Sequence, residues 1–254
     1  MLANSPLMGS GKQYVAPFDP FLIPNLRLAL QADVPAQFNL TGTLVNSWTY
    51  STFAASAASS NRPNWISSVA AFNNKPVVRF NPTTNQFLVS PNNNLATLFN
   101  FGGARTYFIV ASRSGAAAFQ NMFGFVNSGS TNDFNIYALD ASNRDISQVR
   151  VDGSSTQQAT GTATLGTAPA VFCYTWGNAR NSWVNGTASI TTPATTDTPS
   201  IDRHIIGATR AGGSYSAFFN GDIAEIWGIS RVVTTLERTN MQTLLGTKYN
   251  IAIA

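Results

Sequence analysis

Charged residues are scarce in this sequence. Asp, Glu, Lys and Arg make up 10% of its 254 residues, against about 25% in an average soluble domain. Hydration of the surface must therefore rest on Asn, Ser, Thr, Gln and Gly. The net charge is +4, but the basic residues are dispersed and form no Lys/Arg run, so the sequence predicts no nucleic-acid partner.

Cysteine and histidine are nearly absent, with one residue of each, Cys173 and His204. One cysteine excludes a disulfide framework, an iron–sulfur cluster and a cysteine-based zinc site, and one histidine excludes a site with several histidine ligands. The oxygen-rich stretch 140–145 fits a polar turn between two strands as well as a calcium site. The sequence predicts no metal site and no cofactor, and Cys173, among apolar neighbours, is predicted to be a buried thiol.

Long hydrophobic runs are also missing. None approaches the roughly 18–20 residues that span a membrane, so we expect no membrane partner. The first residues, MLANSPLMGSGKQY, lack the basic-then-apolar order of a secretory signal. We therefore expect a protein that is made in a cytoplasm and is not secreted.

The sequence does contain many short runs rich in Val, Ile, Phe, Tyr and Trp, separated by turn-forming clusters. Frequent strands without intervening helices predict an all-β antiparallel sandwich. Asn185-Gly186 fits a two-residue hairpin turn, whose two central residues need positive φ. The predicted strands are 26–30, 44–50, 76–80, 86–90, 106–112, 134–139, 146–151, 170–176, 181–184 and 204–207.

One helix is predicted near the C-terminus. Thr234 is followed three residues later by Glu237, which is the pattern of a capping box. An approximate apolar stripe then extends to about Gly246, and it comprises Leu236, Met241, Leu244 and Leu245. The low-complexity segment 54–60 is predicted to be a loop.

Residues 1–24 are predicted to form an extended arm, and residues 25–254 a single domain. Four prolines interrupt any regular element in the arm, namely Pro6, Pro17, Pro20 and Pro24. The arm also carries apolar side chains that water solvates poorly, which favours docking on another surface. The predicted partner-binding residues are Tyr14, Phe18, Phe21, Leu22 and Ile23.

Three segments, in the expected order, resemble a known family. FFNGDIAEIWGISRVVTTLERTNMQTLLGTKYNI (218–251) is similar to the C-terminal signature of laminin G-like domains of the concanavalin A-like lectin/glucanase superfamily. IPNLRLALQAD (23–33) is similar to the opening of that family, and NRPNW (61–65) with NNKPVVRFN (73–81) to its next block. The resemblance implies a concanavalin A-like jelly-roll sandwich of two curved antiparallel sheets over about residues 25–254.

The resemblance also raises the question of catalysis, because glucanases of this superfamily use a strand motif Glu-x-Asp-x-x-Glu as nucleophile and general acid/base. The nearest match is the segment 220–225. Asn220 stands at the nucleophile position, where an amide cannot do that work. Asp222 and Glu225 are three residues apart, so a regular strand directs them to opposite faces. We therefore predict no catalytic residues and no enzymatic activity.

The first functional hypothesis is a structural protein of a virus particle, specifically a bacteriophage capsid decoration or cement protein. The family resembled is a common adhesion module. The composition, rich in Asn, Thr, Ser and Ala and poor in Lys and Glu, resembles that of exposed virion proteins. The predicted location is the virion, the predicted partner is the major capsid protein, and a second copy of the chain is a further candidate partner.

The alternative hypothesis is a carbohydrate-binding adhesion module that recognises a glycan on a host surface. Aromatic stacking and hydrogen bonds from Asn, Gln and Asp would hold the sugar. Most Trp side chains of a sandwich lie in its core, but two stand near predicted loops. The predicted carbohydrate-binding residues are Trp48 and Trp65.

Overall fold

Antiparallel strands make up most of the computed structural model. It describes residues 17–90, 103–115, 119–127, 133–139, 142, 144–151, 154–193, 201–211 and 213–254. The strands in chain order are β1 Leu26–Gln31, β2 Phe38–Thr41, β3 Leu44–Tyr50, β4 Phe53–Ser56, β5 Asn64–Val69, β6 Lys75–Phe80, β7 Leu88–Val89, β8 Arg105–Arg113, β9 Gln120–Val126, β10 Asp133–Leu139, β11 Arg144–Val151, β12 Ser154–Thr164, β13 Ala170–Trp176, β14 Ala179–Val184, β15 Thr187–Pro193, β16 Arg203–Ile206, β17 Thr209–Ala211, β18 Ser214–Ser216 and β19 Gly221–Ile229.

The strand pairings form two layers. In the first sheet the order is β1, β19, β8, β13, β14 and β15, with β6 beside the start of β19 and β5 beside β6. In the second sheet it is β2, β3, β4, β7, β16, β9, β10, β11 and β12. A single pair between β3 and β5 joins the two. The predicted all-β antiparallel sandwich is therefore confirmed.

The first sheet is buried on both faces, as its central strand β8 shows. Tyr107, Ile109 and Ala111 belong to the core between the two sheets. Phe108 and Val110, which alternate with them, belong to a second cluster on the outer face. Because successive side chains of a strand point to opposite faces, a strand covered on both sides must be apolar throughout. This explains why β8 and β13 are continuous hydrophobic runs.

A C-terminal helix, α1 Thr235–Tyr249, covers the outer face of the first sheet. The predicted capping box is present: the Thr234 side chain accepts from the Glu237 amide and the Glu237 carboxylate accepts from the Thr234 amide. Met241, Leu245 and Tyr249 are buried against the sheet. The predicted stripe was wrong at Leu236, which is 70% exposed because, at about 3.6 residues per turn, it lies on the side of the helix opposite Met241 and Leu245.

Two other local predictions have clear outcomes. The hairpin turn is confirmed, since Asn185 and Gly186 have φ values of 51° and 86° between β14 and β15. The loop predicted for residues 54–60 was wrong, because its first half is β4, which pairs with β3. Ala55 is fully buried in the inter-sheet core. Because the segment consists of Ala and Ser at inward and outward positions alike, its sequence does not show the apolar/polar alternation of a strand.

The described part of the N-terminal segment begins at Pro17 and lies on the domain. Asp19 caps a short 3-10 turn by accepting from the Phe21 amide at 2.9 Å, and the Phe21 ring lies 5.2 Å from that of Trp227. Ile23 is buried in the second cluster, so its assignment to partner binding is corrected: its side chain packs in the domain's own core. Tyr14 lies outside the described residues.

Candidate functional site

Trp48, one of the two aromatic residues predicted to bind sugar, lies inside the sandwich. Its side chain is fully buried and stacks on Phe38 with ring centroids 5.3 Å apart. Its indole N–H donates to Gln37 Oε1 at 3.2 Å. No ring face is left for a sugar, so the structure corrects this prediction. Trp48 points inward like Val45, three residues earlier on β3, because the register of β2 and β3 shifts between these two residues.

Trp65, the other predicted residue, is half-buried at the edge of the inter-sheet core. Its indole N–H donates to the Ala32 carbonyl at 2.9 Å, and its ring is tilted against Phe38 at 6.5 Å. The indole therefore has a structural role in joining β5 to the end of β1. Its use as a stacking surface stays a prediction.

The carboxylates considered for catalysis are both held in ion pairs. Asp222 accepts from Arg79 Nε and Nη2 at 2.7 and 2.8 Å. Glu225, fully buried, accepts from Trp227 Nε1 at 2.5 Å and Tyr249 Oη at 2.7 Å, and it pairs with Lys248 of α1. Burial, reinforced by the charge of Glu225, raises the pKa of Tyr249. Glu225 thus fastens α1 to the first sheet.

Groups that could hold a metal ion are absent from the described residues, where no three His, Cys, Asp or Glu side chains cluster. The stretch 140–145 lies partly outside them, but Asp145 is buried and accepts from Ser182 at 2.6 Å and Ser189 at 2.5 Å.

His204 is buried with its ring 4.4 Å from that of Phe125. Burial, aided by the charge of Arg105, lowers the pKa of His204 well below its usual value, so the ring is neutral. Within the described chain, no helix is long and apolar enough to cross a bilayer.

An open groove of about 390 Å³ lies on the outer face of the second sheet. The strand β7 positions it: Leu88 points into the inter-sheet core, so its neighbour Val89 and the preceding Phe87 point outward. Phe87 packs there in a small third cluster. We name this feature the aromatic groove, and its lining consists of Ala58, Asn61, Asn85, Phe87, Val89, Tyr215 and Phe218.

The floor of the aromatic groove is made of rings from two distant segments. Tyr215 belongs to β18 and faces Phe87 with ring centroids 4.1 Å apart, and Phe218 lies 6.2 Å from Phe87. The β17–β18 hairpin that carries Tyr215 is tied to β9 by Asn121, whose amide N–H donates to Ala217 O and whose Nδ2 donates to Ala208 O. The floor is therefore fixed to the sheet.

The rim of the aromatic groove is polar and partly unused. The side chain of Asn61 already makes hydrogen bonds within the protein, because its Nδ2 donates to the Asn85 carbonyl at 2.8 Å and its Oδ1 accepts from Ser60. Asn85 has a left-handed backbone, φ 51°, at the end of a 3-10 turn, and its side chain is exposed. The side-chain amide of Asn85 and the hydroxyl of Tyr215 make no hydrogen bond to any described residue, although the Asn85 backbone N–H donates to the Pro82 carbonyl. Both are free to bind a ligand above the rings.

Sequence reasoning missed the aromatic groove because it considered only tryptophan. The three rings come from positions 87, 215 and 218, and nothing in a single sequence indicates that the first lies beside the other two. One signal was available: the stretch SYSAFF (214–219) concentrates aromatic residues just before the motif FNGDIAEI.

Comparison with known proteins supports the fold. No family model matches the sequence, and no curated protein matches it. A Trypanosoma rangeli sialidase in complex with the inhibitor DANA is similar over 84% of this chain and 32% of its own, with TM-score 0.56 and 13% identity. The NanB sialidase from Streptococcus pneumoniae is similar over 63% of this chain and 26% of its own, with TM-score 0.53 and 19% identity.

A third solved structure is the CBM40 of a Ruminococcus gnavus IT-sialidase, bound to α2,6 sialyllactose. It is similar over 56% of this chain and 83% of its own, with TM-score 0.49 and 15% identity. The chain spans about a third or less of the two sialidases. The similarity to the two sialidases, at 13% and 19% identity, shows a shared fold and no more. Membership of the laminin G-like family stays a prediction.

Proposed function

We propose that this protein is a carbohydrate-binding module that holds a glycan in the aromatic groove. The observation that carries the proposal is the pairing of a fixed aromatic floor with two polar groups that have no partner among the described residues. Sugars present an apolar face of C–H groups and a rim of hydroxyls. Rings below and an amide and a phenol beside them satisfy both parts.

The expected affinity is estimated for one sugar ring that lies on the aromatic groove. Covering about 100 Å² of apolar surface contributes about 2.5 kcal/mol at 25 cal/mol per Å². Two hydrogen bonds add about 1 kcal/mol each, before the cost of association. A single sugar ring is therefore held weakly. Tight attachment to a surface requires a longer glycan or several copies of the module acting together.

The test is a glycan array followed by calorimetry on the best ligand. Phe218→Ala removes a ring of the floor, and Tyr215→Phe and Asn85→Ala each remove a polar group of the rim. We expect Phe218→Ala to abolish measurable binding and each rim variant to weaken it about fivefold, as the loss of one hydrogen bond of about 1 kcal/mol implies.

The matched control is Phe119→Ala, because Phe119 is 46% exposed and lies outside the aromatic groove. It should bind like the wild type. Trp65→Ala tests the rival stacking residue. Binding that survives Phe218→Ala but is lost with Trp65→Ala would move the site away from the groove, and no glycan signal at all would refute the proposal.

The proposal includes no catalytic step. Glu225 is the carboxylate that would be needed for glycoside hydrolysis at the nearest motif, and it is buried beneath α1 with three donors. A purified protein that hydrolyses β-glucans, and loses this activity in Glu225→Gln while remaining folded, would contradict a binding-only function.

Attachment to a virus particle is a second candidate, favoured by the exposed apolar pair Phe21 and Leu22. They are 51% and 78% exposed, and they lie on a segment anchored to the domain by Ile23. We propose that this pair contributes to docking on a capsid protein. Phe21→Ser with Leu22→Ser should leave the fold intact and prevent incorporation into particles, whereas normal incorporation would refute it.

A further inference from the structure

A second cavity, a narrow slot of about 120 Å³, opens between the two sheets at the end of β8. It shares no residue with the aromatic groove. Its walls come from β8, β9, β13, β14, the last residue of β12 and the segment after it. The lining residues are Ala111, Ser112, Arg113, Met122, Thr164, Leu165, Gly166, Ala168, Pro169, Ala170, Phe172, Val184 and Asn185.

The slot exists because two small side chains face each other across neighbouring strands. Ala111 of β8 is paired with Ala170 of β13, whereas the next inward pair along the same strands is Ile109 with Phe172. Both pairs point into the core between the sheets. The larger side chains of Ile109 and Phe172 fill the space between the sheets, whereas the methyl groups of Ala111 and Ala170 leave a gap. The gap at this end of the core therefore results from the small residues in the sequence.

The slot is connected to solvent. Leu165 and Val184 at its walls are each 7% exposed, while Ile109, one pair deeper, is fully buried. A small molecule can therefore reach these walls without unfolding of the sandwich. The apolar part of the wall, formed by Met122, Phe172 and Val184, offers bound water no hydrogen-bond partner, which favours its displacement by an apolar group.

Arg113 is the charged residue among those that line the slot. Its Nε donates to the Leu165 carbonyl at 2.9 Å and its Nη1 to the Gly115 carbonyl at 2.6 Å. These two bonds fix the guanidinium beside the slot but leave its charge unneutralised. Within the described part of the chain no carboxylate pairs with it, and its Nη2 makes no hydrogen bond.

We propose that this slot binds a small organic acid, with its apolar body between the sheets and its carboxylate paired with Arg113. A cavity of about 150 Å³ is known to hold benzene, so about 120 Å³ suits a body of up to one aromatic ring. The guanidinium selects the head group, since a carboxylate forms a charge-assisted pair with it. The proposal is independent of glycan binding.

Benzoate is the probe, and its binding is followed by chemical shifts of the Met122, Leu165 and Val184 methyl groups. We expect saturable shifts confined to these residues. Benzyl alcohol, which has the ring without the charge, should bind about tenfold more weakly, as the loss of a charge-assisted pair implies. Acetate, which has the charge without the ring, should cause no shift of the methyl groups of Met122, Leu165 and Val184.

Two substitutions test the two halves of the site. Ala111→Leu fills the slot and should abolish benzoate binding, and Ala170→Val serves the same purpose if the first variant does not fold. Arg113→Met should weaken benzoate about tenfold and leave benzyl alcohol unchanged, while Arg113→Lys should retain part of the preference for the acid. The aromatic groove variant Phe218→Ala is the matched control and should bind benzoate normally.

Three results would overturn the proposal. They are benzoate shifts that do not saturate, benzoate binding that persists when the slot is filled, and equal affinity for benzoate and benzyl alcohol. None of these results bears on the glycan proposal, because the two sites share no residue.

Discussion

The two outer faces of the sandwich are covered by different elements and have different properties. On the first sheet, α1 lies over a continuous apolar surface, and the buried Glu225 beneath it takes three donors. On the second sheet, the β17–β18 hairpin covers only part of a small cluster. Its edge leaves rings and unused polar groups beside solvent.

The comparison indicates that the extent of coverage decides which face is available for binding. A helix of fifteen residues closes its face and makes it structural. A hairpin with three-residue strands closes only part of its face, and the remainder becomes a groove. Covering elements of this kind are short segments of chain, so a sandwich can change its binding surface without changing its sheets.

The largest effect is expected where the closed face loses its central carboxylate. Glu225→Ala leaves Lys248 half-buried without its nearest partner and leaves Trp227 and Tyr249 with unmet donors. Breaking a buried pair in this way costs about 3–5 kcal/mol, measured as the free energy of unfolding in urea.

Asp33→Ala is the matched control for that substitution. Asp33 contacts the same Lys248 at 2.9 Å, but its side chain is 22% exposed. We expect it to cost less than about 1 kcal/mol, as partly exposed ion pairs do. If both variants lost the same free energy of unfolding, the buried Glu225 would contribute no more to stability than the partly exposed Asp33.

The next effect compares one truncation on each face. Leu245→Ala removes a buried side chain beneath α1 and should cost about 2–5 kcal/mol. Phe218→Ala, in the open groove, should cost about 1 kcal/mol because its ring is partly solvated already. Chemical denaturation measures both. If the Phe218 variant loses as much as the Leu245 variant, the aromatic groove is part of the core.

A smaller effect is expected on acidification at the start of α1. The hydrogen-bonded Arg231 guanidinium lowers the pKa of Glu237 to about 2, against an ordinary value of 4.5. A carboxylate with a lowered pKa stabilises the fold above its unfolded pKa, and this contribution is lost as the pH falls from about 4.5 to about 2. For a pair in contact with solvent the loss is about 1 kcal/mol or less.

Glu237→Gln tests that assignment. The variant should lack this part of the pH dependence, measured as the unfolding free energy between neutral and acidic solution. If the wild type and the variant lose the same stability on acidification, another carboxylate is responsible. The loss of unfolding free energy at acidic pH would then be unrelated to the capping box of α1.

The smallest effect is that of salt on glycan binding. The lining of the aromatic groove is uncharged, so affinity for a neutral glycan should not change between low and high salt, because screening acts on charges. Calorimetry at about 0.05 and about 0.5 M NaCl measures it. A steep loss of affinity at high salt would show that a neighbouring cation such as Arg210, 5.6 Å from the Tyr215 ring, takes part.

Local patterns predicted local structure well. The runs 44–50 and 170–176 are strands with the predicted bounds, and both the capping box and the hairpin turn are present. These features depend on residues within a few positions of one another. The buried thiol of Cys173 was also predicted, since its strand is apolar on both faces.

Predictions of exposure were less successful. Trp48 was expected at the surface because it stands near a loop, and the structure buries it. Ile23 was assigned to a docking arm, and it packs in the core. Whether a side chain is exposed depends on which distant element lies over it, and a single sequence does not contain that information for these residues.

By itself the sequence determined many of the strands, the C-terminal helix and the antiparallel class, because backbone preferences and side-chain periodicity act over a few residues. The tertiary structure alone decided which face each covering element closes. It brought Phe87 to Tyr215 and left Ala111 opposite Ala170. Both candidate sites arise from such long-range contacts, since a groove and a slot are the spaces between segments that are distant in sequence.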